Sequence, residues 1–244
     1  LTQNKMTVME VYVNDEVFVS KSFNDKQSLN ELVSLGNGMS LCSNATVDEG
    51  LYGDPTEIAL VDFSNRLGHH KGDLEKKQKR IDELPFDSVR KMMSTLHDGG
   101  TEYTKGALDS ILKCCDRILE NGKIRKITKE DLDKINKANS NFSDRALRVL
   151  ALAYDSNRKT VEEKNLVFVG LVAMIDPCRE EAGPAVAKFK QAGITTVMIT
   201  GDHKDTAFAI AKELGIAESR EQVLTGQDVD GLTFEELREK CKTV

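Results

Sequence analysis

Apolar residues recur along the chain with two periods, every second position in some segments and every third or fourth in others. Alternation with β-branched residues predicts strands at residues 6–13, 17–23, 92–96, 101–104, 147–154 and 166–175. Helical spacing predicts helices at residues 27–35, 55–67 and 107–120, and a capping box at Thr128 and Asp131 predicts another helix that runs to about residue 139. The chain up to residue 175 is therefore expected to form an α+β unit, a mixed antiparallel sheet with helices.

The order of elements changes beyond residue 176, where helix, strand and helix alternate. The run at 194–199 has the β-branched content of a parallel strand that is buried on both faces. Residues 200–202 follow this strand, and residues 206–214 have helical spacing. Because helix N-termini and the carboxyl ends of parallel strands both attract anions, this second, α/β unit is expected to hold a phosphate.

Composition places the chain among globular proteins. Its 244 residues are 39% apolar, which is enough for a substantial core. A formal net charge of -6 argues against a nucleic-acid partner, because binding to a polyanion depends on clustered Lys and Arg. No stretch approaches the roughly 20 apolar residues of a membrane span, so no direct membrane contact is expected. Five cysteines without a C-x-x-C pair fit a reducing compartment. The run of charged residues at 71–80 is interpreted as a solvated helix face or loop.

A nucleotide site in this chain must use a design without a glycine-rich phosphate loop, since neither a Walker sequence nor G-x-G-x-x-G occurs. Phe86 follows Pro85 in a polar stretch, where an aromatic ring can stay partly open and stack on a base. Lys91 lies five positions further on. The alternative is a core Phe86 and a surface Lys91, and the pattern by itself favours that alternative.

Two further pairs of residues are candidates for phosphate contacts. Lys105 and Gly106 stand at a predicted strand end just ahead of a helix, where a cation and an open backbone can meet a ligand, although K-G pairs are also common in turns. Strand alternation places Arg148 and Leu150 on one face. A guanidinium among apolar residues must reach water, a carboxylate or a phosphate, and the pattern leaves an ion pair and a phosphate contact open.

Two other features have local explanations. Glu57 lies in the first turn of a predicted helix with Asp54 as its N-cap, a place where carboxylates are favoured without any ligand. His69 and His70 are adjacent, which does not suit metal ligation from one helix face. We therefore predict no metal ligands in this chain.

Four short sequences, GDPTE from Gly53, KGA from Lys105, DPCR from Asp176 and MITGD from Met198, together resemble the cation-transporting P-type ATPases of type II, the calcium-pump-like class. The opening LTQNKMTV is similar to the same pattern. The resemblance implies a nucleotide-binding domain at residues 9–175 and part of a phosphorylation domain, a haloacid-dehalogenase-like parallel α/β unit, at residues 176–244. Residues 1–8 would be an N-terminal remnant of the phosphorylation domain.

The resemblance also assigns roles to the candidate residues of the nucleotide-binding domain. It implies that Phe86 stacks on adenine, that Lys91 lines the same pocket, that Glu57 lies beside the base and that Arg148 reaches the phosphates. Lys105 and Gly106 become the strongest binding candidates, and Leu150 joins the set. Ser88 departs from the family, since calcium pumps often carry an extra arginine there, so a weaker nucleotide affinity is expected.

For the phosphorylation domain, the resemblance implies that an aspartate just ahead of this chain is the phosphorylated nucleophile. The parent protein would be an enzyme, and this chain alone would lack turnover. Thr200 and Gly201 would hold the transferred phosphoryl group, Asp202 would orient this loop or the hinge, and Mg²⁺ would neutralise charge between the phosphate oxygens. Arg179 would reach a phosphate or a carboxylate. Cys178 replaces a proline that is usual in this hinge and leaves the hinge less restrained.

The implied parent uses ATP and Mg²⁺ and exports a cation, with calcium as the ion that the resemblance indicates. Its transmembrane and actuator domains would be the partners of this chain, which would form a cytosolic part of an integral protein of a bacterial plasma membrane. Two alternatives stay open. A haloacid-dehalogenase-type phosphatase shares the strand-Thr-helix element but needs a D-x-D motif that this sequence lacks. The other alternative is a non-catalytic nucleotide or protein interaction module, and a pure protein interaction module predicts no effect of the Phe86 ring on nucleotide binding.

Overall fold

The computed structural model describes residues 1–23, 30–46, 50, 52–201 and 204–240. The chain divides into two compact units. The sheet unit comprises residues 5–143 and 147–175, and the helical unit comprises residues 1–4, 144–146 and 176–244.

One twisted sheet organises the sheet unit. Its strands are β1 (Thr7–Val13), β2 (Glu16–Val19), β3 (Arg80–Asp87), β4 (Met92–His97), β5 (Thr101–Gly106), β6 (Cys115–Glu120), β7 (Lys123–Lys126), β8 (Arg148–Asp155) and β9 (Leu166–Ile175). They pair in the order β2-β1-β9-β8-β5-β4-β3, all antiparallel. The strand β6 branches from β9 in parallel and forms a hairpin with β7. The predicted mixed antiparallel sheet with helices is confirmed.

In the part of the sheet unit that the structure describes, helices pack on both faces of this sheet. They are α1 (Asn30–Leu41), α2 (Pro55–Arg66), α3 (Lys71–Lys77), α4 (Leu108–Cys114) and α5 (Lys129–Ser143). Strand β9 is the centre of the core, because its side chains enter both apolar clusters. Val167, Val169 and Val172 join residues of α1 and α2 on one face, whereas Phe168 and Leu171 join residues of α4 and α5 on the other. A strand that is buried on both faces has the nearly continuous apolar sequence seen here.

Strand β8 shows the alternation expected from its sequence. Leu152 belongs to the cluster with α1 and α2, and Leu150 and Tyr154 pack against that cluster. Ala151 and Ala153 belong to the opposite cluster. Because strand side chains alternate between faces, the side chain of Arg148 shares the face of Leu150, as predicted.

Two sequence-based assignments in the sheet unit are corrected. The helix expected at 107–120 ends at Cys114, and Cys115 begins strand β6, because pairing with β9 and β7 supplies the backbone hydrogen bonds that a longer helix would have made. The charge run 71–80 is not a uniformly solvated face. Lys71 is buried, since its ammonium group reaches backbone carbonyls that satisfy the charge.

The helical unit contains α6 (Ala182–Gln191), α7 (Lys204–Glu213), α8 (Gly226–Asp230) and α9 (Phe234–Lys240). Its small core joins Ala182 and Val186 of α6 to Ile210 and Leu214. The helix predicted at 206–214 is confirmed as α7, with bounds that differ by a few residues.

The buried parallel strand predicted at 194–199 is wrong for this structure. No residue of this segment is assigned to a strand, and Ile199 is 94% exposed. The physical reason is that a strand requires a neighbour for its amide and carbonyl groups. Among the described residues of the helical unit, the only ladder contact is the single bridge between Thr2 and Cys178. The haloacid-dehalogenase-like parallel unit therefore stays a prediction.

Within the described part of the chain, every helix is too short or too polar to cross a membrane.

Candidate functional site

A cavity of about 340 Å³ opens in the sheet unit on the face of the sheet that carries Arg148 and Leu150. Its lining comes from the segment after α1, from helix α2 and from strands β3, β4, β5 and β8, and consists of Asn44, Asp54, Thr56, Glu57, Phe86, Met93, Lys105, Gly106, Arg148 and Leu150. Six of the eight binding residues predicted from the sequence are in this set. The fold thus brings together residues that lie far apart in the sequence.

An ion pair between Lys105 and Glu57 forms the floor of the cavity. Lys105 Nζ lies 2.6 Å from Glu57 Oε1, and the two side chains are only 8% and 18% exposed. The other carboxylate oxygen, Glu57 Oε2, accepts a hydrogen bond of 3.0 Å from the amide of Asn44. Each oxygen of the carboxylate therefore has a partner, which offsets part of the desolvation of the pair.

Helix α2 carries Glu57 to the cavity, and its first turn is fixed locally. Asp54 is the N-cap and accepts a hydrogen bond of 2.8 Å from the amide of Thr56, and Pro55 begins the helix. Burial raises the pKa of Asp54, but hydrogen bonds from Thr56 and the positive charge of Arg148 outweigh burial and lower the pKa below its ordinary value. The N-cap predicted from GDPTE is confirmed, and this cap is itself part of the cavity wall.

Phe86 is an exposed aromatic residue at the rim of the cavity. Its side chain is 66% exposed, so the alternative of a core phenylalanine is wrong. The pairing of β3 with β4 shifts register between Leu84 and Asp87, and Pro85 at this point has no amide to donate. The Arg90 guanidinium donates a hydrogen bond of 2.7 Å to the Pro85 carbonyl. An irregular, braced strand end therefore presents the ring.

Gly106 lines the cavity, but the structure gives a different reason for the glycine from the one suggested by the sequence. A β-carbon at this position would lie 2.4 Å from the carbonyl oxygen of Lys91 and 2.5 Å from Cβ of Met92. The close approach is therefore to strand β4 and the residue ahead of it. The absence of a side chain is required by sheet packing even without a ligand.

Arg148 and Leu150 line the cavity together from strand β8. Arg148 is exposed, and within the described ranges its side chain makes no hydrogen bond or ion pair within 4.0 Å. The ion-pair alternative considered for this arginine is therefore not seen among these residues. Leu150 is half-buried against the core and contributes apolar wall.

Two predicted binding residues are not part of the cavity lining. Lys91 is exposed in the turn between β3 and β4, with a φ of 56°, and the expectation that it lines the same pocket is not met. Its backbone instead joins the turn to β5, since the Ala107 amide donates to the Lys91 carbonyl at 2.9 Å. Arg179 belongs to the helical unit, where its Nε donates a hydrogen bond of 2.8 Å to the carbonyl of Thr2 rather than to a carboxylate.

The residues predicted for phosphoryl transfer belong to the helical unit. Thr200 and Gly201 are exposed at the end of the segment without regular secondary structure that precedes α7. Asp202 lies outside the described residues. Across the described part of the chain, no group of three or more His, Cys, Asp or Glu side chains has a geometry that could hold a metal ion.

Sequence reasoning missed several residues that line or support the cavity. Met93 lies directly opposite Lys105 in the β4–β5 ladder, so the alternation of β4 places it on the cavity face once the register is known. Asn44 follows the end of α1, and only the fold brings it to Glu57. No sequence signal marks Asn44, because its contact uses the backbone amide.

The arrangement combines an exposed ring, an apolar wall and two cationic side chains in one concave site. Phe86 presents a π face, Leu150 and Met93 supply apolar surface, and Lys105 and Arg148 supply positive charge. Sites of a few hundred Å³ with apolar walls and a few placed polar groups are typical of small-molecule binding. A base that stacks on an aromatic side chain and carries phosphates fits this chemistry.

The model of the P-type ATPase cytoplasmic domain N matches residues 27–181. Calcium-transporting ATPase 1 of Bacillus cereus is 47% identical over 98% of this chain and 28% of its own length. Calcium-transporting ATPase 1 of Lactococcus lactis is 43% identical over 100% of this chain and 29% of its own length. Potassium-transporting ATPase alpha chain 2 of Oryctolagus cuniculus is 30% identical over 99% of this chain and 24% of its own length. The chain spans less than a third of each of these relatives, and it belongs to the family of the P-type ATPase cytoplasmic domain N.

Proposed function

We propose that the cavity binds ATP and that the chain is the nucleotide-binding part of a P-type pump. The observation that carries this proposal is the convergence of an exposed Phe86 with Lys105 and Arg148 around one cavity. Family membership supports the same role, because P-type ATPases as a class use ATP with Mg²⁺.

Each part of the nucleotide has a counterpart in the lining. The adenine stacks on Phe86 and lies beside Glu57, with Leu150 and Met93 as the apolar wall. Arg148 is the phosphate partner, since its guanidinium is exposed and a guanidinium fork suits phosphate oxygens. Lys105 is held by Glu57 and offers its remaining ammonium protons to the nucleotide, and Gly106 lines the cavity beside it. Mg²⁺ accompanies the phosphates, whose oxygens are the ligands that this hard cation prefers.

The remaining candidates belong to a phosphoryl-transfer step in the longer protein. There the carboxylate of an aspartate attacks the terminal phosphoryl group of ATP and ADP leaves. Thr200 and Gly201 hold the transferred phosphoryl group, and Asp202 orients this loop or the hinge. Lys91 stays a candidate for a more distant contact with the nucleotide, and Arg179 for a hinge residue. Its hydrogen bond to the Thr2 carbonyl supports the hinge role.

The domain limits that we propose are residues 9–175 for the nucleotide-binding domain and 176–244 for part of the phosphorylation domain, with residues 1–8 as a remnant of the latter. The break between the two compact units at residues 175 and 176 supports the second limit. Residues 1–4 belong to the helical unit, as a remnant would, whereas residues 5–8 belong to the sheet unit, so the break lies four residues ahead of the first proposed limit.

We further propose calcium as the ion that the whole pump exports from a bacterial cell, with the transmembrane and actuator domains of the same protein as partners. The support is the name calcium-transporting ATPase carried by relatives of 40–47% identity from Bacillus cereus, Lactococcus lactis and Listeria monocytogenes. The rabbit relative named for potassium transport is only 30% identical.

Calorimetric titration of this chain with ATP and with adenosine tests the proposed site. We expect ATP to bind in the millimolar range or more tightly, and Arg148→Gln to weaken ATP more than adenosine, because only ATP carries the charge that Arg148 meets. Lys123→Gln, a change of the same kind in the distant hairpin strand β7, is the control and should leave both affinities unchanged. Equal affinities of the wild type and Arg148→Gln for ATP would contradict the assignment.

A further inference from the structure

Two cationic side chains outside the cavity hold the backbone of the segment that follows α1. Lys71 Nζ donates to the carbonyl oxygens of Ser43 at 2.7 Å and Ala45 at 2.6 Å. Arg80 Nη2 donates to the carbonyl oxygens of Leu41 at 3.0 Å and Ser43 at 2.6 Å. The carbonyls of three residues spaced two apart, 41, 43 and 45, therefore accept hydrogen bonds from this pair of cations. The Ser43 carbonyl accepts from both cations.

Holding the Ser43 carbonyl fixes the amide of Asn44, because both groups belong to one planar peptide. In a trans peptide the N–H points away from the C=O. With the Ser43 oxygen directed at Lys71 and Arg80, the Asn44 amide is directed at Glu57 Oε2, 3.0 Å away. The side chain of Asn44 is restrained as well, since its Oδ1 accepts a hydrogen bond of 2.6 Å from Arg80 Nη1.

The chain of contacts continues into the cavity. Glu57 uses its second oxygen, Oε1, to hold Lys105 at 2.6 Å. Neither Lys71 nor Arg80 lines the cavity, so their influence on a ligand passes through Asn44 and Glu57. Lys71 is nearly fully buried. Its one carboxylate partner within the described residues is Glu75, which lies 3.7 Å from its ammonium group. Backbone carbonyls, rather than a close counter-ion, are thus its main partners.

We propose that Lys71 and Arg80 are positioning residues, which orient the Ser43–Asn44 peptide so that its amide holds Glu57 and, through it, Lys105 in the geometry that receives the ligand. The effect on ligand affinity rests on the proposed nucleotide site, whereas the effect on the Asn44 amide does not. This separates the two ideas experimentally.

The first readout is the ¹H–¹⁵N resonance of Asn44 without any ligand. An amide that donates to a carboxylate forms a charge-assisted hydrogen bond, which moves its proton signal downfield. We expect Lys71→Met to move this signal upfield and Lys71→Arg to restore part of the shift. Lys76→Met is the matched control, because Lys76 is on the same helix, is 79% exposed and pairs only with Asp73 among the described residues. The control should leave the Asn44 signal in place.

The second readout is a double-mutant cycle on ATP affinity. We expect Lys71→Met to weaken ATP about tenfold, or about 1.4 kcal/mol, when Glu57 is present. In the Glu57→Gln background the same change should have much less effect, because the contact through which it acts is already weakened. A merely structural loss would weaken ATP by the same factor in both backgrounds. If Lys71→Met does not fold, Arg80→Lys, which keeps the charge but not the guanidinium fork, replaces it in both experiments.

The outcomes are distinct. The inference would be overturned if the Asn44 signal responded to neither Lys71→Met nor Arg80→Lys. It would also be overturned if Lys71→Met weakened ATP binding by the same factor with Glu57 and with Glu57→Gln. Failure of the wild type to bind ATP would count against the proposed function alone, and the Asn44 resonance would still decide whether Lys71 and Arg80 orient the peptide.

Discussion

Lys105 Nζ lies 2.6 Å from Glu57 Oε1, although 48 positions separate the two residues in the sequence. The pair joins strand β5 to the first turn of helix α2 at the base of the cavity. Since both side chains are largely buried, each charge depends on the other for an oppositely charged partner. The same pair therefore links the stability of the sheet unit to the geometry of the site.

Replacing one partner of this pair should lower the free energy of unfolding more than replacing both. We expect Lys105→Met to lower the free energy of unfolding by about 2 kcal/mol, since it leaves the Glu57 carboxylate with a single partner in a largely buried place. Adding Glu57→Gln should recover part of this loss. Urea unfolding of the single and double variants measures both values. A double variant whose destabilisation equals the sum of the two single changes would refute the coupling.

Phe86 should contribute to binding but not to folding. We expect Phe86→Ala to weaken adenosine and ATP alike, by about 1 to 3 kcal/mol, the usual value of one aromatic–base stack. The unfolding midpoint should stay the same, because the ring is mostly solvent-exposed. Val89→Ala, at an exposed position in the turn that follows β3, is the control. Fluorescence competition measures the affinities of the wild type and the two variants, and thermal unfolding measures their stabilities. A large loss of stability in Phe86→Ala would show that the ring belongs to the core instead.

Gly106→Ala should destabilise the sheet unit rather than block a ligand. The added β-carbon would meet the Lys91 carbonyl oxygen and Met92 at 2.4 and 2.5 Å. Overpacking of this kind costs roughly 1 to 3 kcal/mol or more. Gly183→Ala, in helix α6 with nothing within 4 Å of its added β-carbon, should be neutral or slightly stabilising. Circular dichroism melts would separate the two, and a fully stable Gly106→Ala that has lost only ligand affinity would restore the ligand-based explanation.

The contacts at the start of helix α5 should make the stability of the sheet unit depend on pH in the acid range. Asp131 accepts hydrogen bonds from Arg125 at 2.6 and 2.8 Å and from the amide and hydroxyl of Thr128, and these contacts, with that from Arg125 the largest, hold the pKa of Asp131 well below its ordinary value. A carboxyl group with a depressed folded-state pKa stabilises the fold above its unfolded pKa of about 4, and this contribution is lost as the pH falls through the folded value.

Asp131→Asn should therefore lower the free energy of unfolding by about 2 kcal/mol near pH 7. The difference from the wild type should shrink as the pH falls below about 4, because Asp131 then takes up a proton in the unfolded wild-type chain while it stays ionised in the folded one. Urea titrations at a series of pH values measure this difference. Asp133→Asn, on the same helix, is the control, and a difference that stays constant across the acid range would contradict the assignment.

Strongly periodic segments were predictable from the sequence because their local patterns and their tertiary environment agree. The apolar run of β9, the capping box at Thr128 and Asp131, and the N-cap at Asp54 all form as expected. The strand predicted at 194–199 does not form, because its pairing depends on neighbours that a local pattern cannot supply. Cys115 shows the opposite case, in which available neighbours turn a predicted helix into a strand.

The site was predictable only in part, for a related reason. Phe86, Arg148 and Lys105 have side chains whose chemistry can be recognised in the sequence. Asn44 acts through its backbone amide, which is the same in every residue other than proline. Lys71 looks like one charge in a solvated run until the fold shows that it is buried against carbonyls. Contacts that use the backbone leave no signature of residue type.

Amide chemical-shift mapping of the ¹⁵N-labelled chain during titration with ATP would show directly whether the cavity holds the nucleotide. We expect saturable shifts at Asn44, Glu57, Gly106 and Leu150, which line the cavity, and none in the distant hairpin strand β7. Adenosine should reproduce the shifts near Phe86 but not those next to Arg148. Saturable shifts confined to residues outside the cavity, or no shifts at millimolar ATP, would contradict the claim that this cavity binds the nucleotide.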